Sequence, residues 1–176
     1  MIKCLFYFLI LTTLVHSTTF ADQIASAAKR KVAQTTAKVD LGKDIMKPLG
    51  TAFRSVVNNL ADATKNTSTA ASLDTVLGLL DKALAITPDT DAYKAENTRL
   101  NSAATTNGVT LAPADAARLT QLEYTTLLQA VKALATQMKA AVTAANANAC
   151  GQACTDLVAQ IKDLQTLAHL TFQDPN

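Results

Sequence analysis

Apolar residues recur at three- and four-residue steps along almost the whole chain, and two-residue alternation hardly appears. That period belongs to helices with one buried face, so the sequence predicts an all-α protein of about five or six helices and no strand. The first predicted helix runs from Ile24 to Met46 on a thin set of anchors, Ile24, Val32, Val39, Leu41 and Ile45. Lys47-Pro48 marks a boundary where the chain kinks or starts afresh, because proline lacks the donor that would continue the ladder.

Leu49, Phe53, Val56, Val57, Leu60 and Ala63 then make a stripe that fades at Lys65. The polar stretch Asn66 to Ser72 reads as a loop, with Ser72 capping a helix that carries Leu73, Val76, Leu77, Leu80 and Leu84. Thr87-Pro88-Asp89 starts a thinner helix through Tyr93 and Leu100 towards Thr106, and Asn107-Gly108 ends it. Pro113 opens the longest element, in which Leu127, Val131, Leu134, Met138 and Val142 keep a regular spacing. Asn146 to Gly151 interrupts it, and Leu157, Val158, Ile161, Leu164 and Ala168 form the last stripe.

Helices of this kind cannot bury their stripes alone, so an antiparallel helical bundle is predicted. Alanine is the packing residue on several faces, which lets helix axes approach closely while adding little buried area. A slim bundle follows.

The start of the chain has a different pattern. Lys3 precedes the apolar run Cys4 to Leu11, and Thr19-Phe20-Ala21 offers small residues around a cleavage point after Ala21. Residues 1–21 therefore read as a signal peptide, and residues 22–176 as one helical domain. Within it, residues 22–47 are the less firmly patterned part and residues 48–176 the main bundle. The product is predicted to be secreted, or periplasmic in a bacterium, with no transmembrane segment after cleavage.

The whole chain has 16 Lys and Arg against 14 Asp and Glu, and removing Lys3 with the leader leaves the two signs almost balanced. Such a balance gives no general attraction to nucleic acid or to anionic lipid. Phe53, Tyr93, Tyr124 and Phe172 are the remaining aromatics, too few for stacking platforms.

Cys150 and Cys154 are the cysteines left after cleavage, and in an exported chain they are expected to form one local disulfide at the start of the last helix, with Gly151 freeing the turn. An intermolecular bridge is the alternative. No metal site is predicted: two cysteines and His169 leave a zinc centre one ligand short. No catalytic set or cofactor motif is predicted either, since the carboxylates are scattered and no nucleophile elbow, phosphate loop or dinucleotide fingerprint occurs. Asp40 and Asp44 beside Lys43 and Lys47 read as a solvated helix face with weak ion pairs.

Asn66-Thr67-Ser68 is an N-glycosylation sequon in the predicted loop, usable only on a eukaryotic secretory route. Lys29-Arg30-Lys31 reads as a basic patch or a processing site. Threonines eleven residues apart, as at Thr64 and Thr75 or Thr125 and Thr136, never extend to a third member, so an ice-binding lattice is not indicated.

An exported, cysteine-poor, Ala- and Thr-rich helical layout, chiefly from Leu73 to Val142, resembles the fungal hydrophobic-surface-binding and cell-wall mannoprotein group. The resemblance is one of layout and carries no residue roles. The expected function is non-enzymatic binding of a partner protein or an apolar surface, through the faces built from Leu73, Leu77, Leu80, Leu127, Val131, Leu134, Met138, Leu157, Ile161 and Leu164. A carrier of lipid or another small apolar ligand is an alternative, requiring a hollow of about 300 Å³ or more among those residues. A structural or assembly protein is another.

Overall fold

The computed structural model describes residues 39–172. Those residues are 83% helical, in five helices with no strand, so the chain is all-α. The predicted signal peptide, most of the first predicted helix and Lys29-Arg30-Lys31 lie outside the described residues.

The described part opens on a π-helical turn, Leu41–Met46, whose cap Asp40 accepts from the Lys43 amide at 2.9 Å. It runs without a break into α1, Lys47–Asn59. The boundary predicted at Lys47-Pro48 is therefore a change of helix type, not an end. Pro48 stands at the very start of α1, where a missing donor costs least, and the wider turn before it shifts the bonding register past the ring. A short 3₁₀ turn, Ala63–Lys65, follows, capped by Asp62. The Thr64 hydroxyl donates to Asp62 at 2.6 Å and holds that carboxyl below its usual range.

Helix α2 spans Asn66–Leu84. The stretch read as a loop is its first two turns, and Ser72 lies inside the helix instead of capping it. The polar side chains there are satisfied locally: Ser68 and Thr69 both donate to the Lys65 carbonyl at 2.9 Å, and Thr69 is fully buried. Packing has overridden a weak helix propensity.

Helix α3, Asp91–Thr106, starts later than its sequence signal: Thr90, not Thr87, is the cap, with its hydroxyl oxygen accepting from the Tyr93 amide at 3.1 Å. Gly108, at φ 73°, turns the chain after it. Helix α4, Pro113–Ala145, is the long element, 33 residues or about 50 Å. Asn146, at φ 50°, ends it, and Gly151, at φ 69°, opens α5, Gly151–Phe172.

The core follows from how these helices meet. Helix α4 packs on α2, α3 and α5, whereas α1 packs chiefly on α2. Helices α2 and α4 run antiparallel, fixed by a ladder of contacts: Asn66 to Asn146 and Asn148, Asp74 to Lys139, Asp81 to Lys132, and the Ala83 carbonyl to the Tyr124 hydroxyl. Past Tyr124 the N-terminal part of α4 continues beside α3, where the Tyr93 hydroxyl donates to Gln121 at 2.8 Å.

Candidate functional site

The apolar residues expected to form a binding face are brought together, and they are used up by one another. Leu73, Leu80, Leu127, Met138 and Ile161 are buried in a single core; Leu77, Val131, Leu134, Leu157 and Leu164 are half-buried against it. Leu73, Leu80 and Met138 have no exposed surface. The inner faces meet directly.

Three of the four aromatics join that core at one end. Tyr93, Tyr124 and Phe172 have ring centroids 5.5–6.3 Å apart, with Tyr124 edge-on to both others. They come from α3, α4 and α5, so the cluster ties three helices without offering a stacking surface. Burial raises the Tyr93 phenol, and burial with Tyr93 beside it pushes Tyr124 up to about 12.

Cys150 and Cys154 form the local disulfide, with Cα atoms 5.7 Å apart, at the start of α5 as the spacing implied. Cys154 is fully buried. Across from this corner, the Asn66 side-chain amide donates to the Asn146 carbonyl at 2.7 Å and the Asn148 carbonyl at 2.8 Å. Both hydrogens of that nitrogen are therefore engaged, and a glycan attached there replaces one of them. Asn66 sits at the first position of α2 rather than in a loop. His169 is exposed in the last turn of α5.

A depression of about 510 Å³ opens where the π-helical turn and α1 lie along α2, lined by Lys43, Lys47, Pro48, Thr51, Ala52, Ser55, Ser72 and Thr75. The sequence places Lys43 and Lys47 beside Asp40 and Asp44, where weak ion pairs are expected. The carboxylates instead bond the backbone: Asp44 accepts from the Asp40 amide at 2.9 Å, while Asp40 holds the Lys43 amide. Neither lysine has a carboxylate partner among the described residues, and neither has Arg54. The signal was present in the spacing: Lys43, Lys47, Thr51 and Arg54 fall at steps of four, four and three, on one face. The overall charge balance concealed it.

No known family, curated protein or solved structure matches this chain.

The apolar face of α1 and of the π-helical turn before it is only partly covered. Ile45 and Val56 are buried, but Met46, Leu49, Phe53, Val57 and Leu60 are half-buried, and the opposite face carries exposed Lys47, Thr51, Arg54 and Asn58. The Ser72 hydroxyl donates to Ser55 at 3.5 Å, a weak polar link between α1 and α2.

Proposed function

We propose that this is an exported, non-enzymatic helical bundle that acts by binding an apolar surface, with α1 as the helix that meets it. The observation that carries this reading is the half-covered apolar stripe of α1, Leu49, Phe53, Val57 and Leu60, on a helix packed chiefly against one neighbour. A helix with bulky apolar residues on one side and Lys and Arg on the other lies naturally in an interface plane. Lifting it from α2 exposes its own stripe and part of the α2 face, while the α2–α4 ladder and the α4–α5 packing remain.

The antiparallel contacts between α2 and α4 support the bundle arrangement, and the disulfide at Cys150 and Cys154 suits an exported chain. The carrier alternative has less to support it, because the apolar residues it needs pack on one another and none of them lines the depression described.

Adsorption of the purified chain to alkyl-coated beads tests the proposal. The double substitution Leu49→Ser with Phe53→Ser is expected to reduce adsorption roughly tenfold. Val109→Ser, which removes an exposed valine on the α3–α4 connection, leaves adsorption unchanged. Circular dichroism of each variant confirms that the helices are retained. Failure of the native chain to adsorb, or equal adsorption by the double variant, overturns the reading.

A further inference from the structure

The depression beside α1 has chemistry that the surface-binding reading does not use. Besides Pro48 and Ala52 it is lined by Lys43 and Lys47, one helical turn apart, and by four hydroxyl residues, Thr51 and Ser55 from α1, Ser72 and Thr75 from α2. The acidic groups nearest in sequence are engaged elsewhere: Asp40 and Asp44 on backbone amides, Asp74 on Lys139. Lys43 and Lys47 both line the hollow, and neither is in an ion pair among the described residues.

The hydroxyls are set in complementary roles. Thr51 donates to the Lys47 carbonyl at 3.0 Å and Thr75 to the Ala71 carbonyl at 3.2 Å, so their oxygens are left as acceptors. Ser72 donates to Ser55, which leaves the Ser55 hydrogen as a donor. The site therefore offers cationic donors, one neutral donor and at least two acceptors. An oxyanion with hydroxyls beside it satisfies all of them. A volume of about 510 Å³ suits a small molecule of that kind.

We propose that this depression binds a polyol phosphate, with Lys43, Lys47 and Ser55 holding the phosphoryl oxygens and Thr51 and Thr75 accepting from the polyol hydroxyls. The phosphate is either a free molecule or a lipid headgroup, and the site is distinct from the apolar stripe of α1.

Titration of isotope-labelled full chain with glycerol phosphate, followed by amide chemical shifts, tests it, with glycerol alone as the uncharged control. Shifts are expected at Lys43, Lys47, Thr51, Ser55, Ser72 and Thr75. The double substitution Lys43→Gln with Lys47→Gln should weaken binding roughly tenfold or more. Thr75→Leu, which fills the hollow but keeps both charges, should do the same. Equal shifts around the distant Lys82 and Lys162, or undiminished affinity in either variant, mean diffuse charge screening and overturn the site.

Vesicles of phosphatidylglycerol compared with phosphatidylcholine then identify the source. Lysine-dependent binding to the former, displaced by glycerol phosphate, assigns a headgroup. Response to glycerol phosphate alone assigns a free ligand. Response to neither overturns the proposal. Bead adsorption read through Leu49 and Phe53 stands or falls separately, because neither residue lines the depression.

Discussion

Helices α1 and α2 carry apolar stripes of similar length, yet the fold uses them differently. Helix α2 lies between α1 and α4, and Leu73, Val76, Leu79, Leu80 and Ala83 are all buried. Helix α1 has one main neighbour, and Val56 is the buried residue of its span. A stripe defines which side of a helix seeks cover; the number of neighbours decides how much cover it obtains. The same rule separates their charges. The acidic residues Asp74 and Asp81 of α2 are paired with lysines of α4, whereas the cations of α1 are left open.

The largest test of that contrast is truncation of equivalent leucines. Leu80→Ala, at a site with no exposed surface, is expected to cost about 3 kcal/mol in urea unfolding, and Leu49→Ala on α1 about 1 kcal/mol. Equal losses would mean that α1 is as deeply packed as α2. Reduction of the Cys150–Cys154 bridge comes next. It closes only a short loop, so about 2 kcal/mol is expected on the chain-entropy account, seen as a lower unfolding midpoint under reductant. Asn66→Ala removes both amide bonds that tie α2 to the turn after α4, for an expected loss of about 1–2 kcal/mol. Smallest is Lys132→Ala, which breaks an exposed pair with Asp81 and should cost about 0.5 kcal/mol or less.

The aromatic end adds a pH test. Tyr124 is neutral and buried in the fold, with its pKa raised from 10.0 to about 12. Its contribution to stability is full below pH 10 and is lost as pH rises towards 12, because the unfolded chain ionises first. Urea midpoints should therefore fall across that window. Tyr124→Phe should flatten the fall; an unchanged slope would place the alkaline sensitivity elsewhere.

Much of the helical layout was legible in the pattern. Pro113, Gly108 and the Asn146–Gly151 break mark real ends, because each is a backbone constraint that packing does not reverse. Asn66–Ser72 misled for the opposite reason. Its polar residues disfavour helix only weakly, and burial of Thr69 with bonding to the Lys65 carbonyl outweighs that preference. Thr87 and Thr90 are equally good caps in isolation. The position of Tyr93 over Phe172 and Tyr124 goes with the choice of the second. The depression at Lys43 and Lys47 is not legible in the sequence, because proximity along the chain suggests ion pairs, while the neighbouring carboxylates accept from backbone amides.

Native-state hydrogen exchange, resolved by helix, tests the central claim that α1 is held more loosely than the α2–α4 pair. The α1 amides are expected to exchange through an opening roughly 2 kcal/mol less costly than that of α2 and α4. Exchange of all three helices through one common opening, at the free energy of global unfolding, would contradict it.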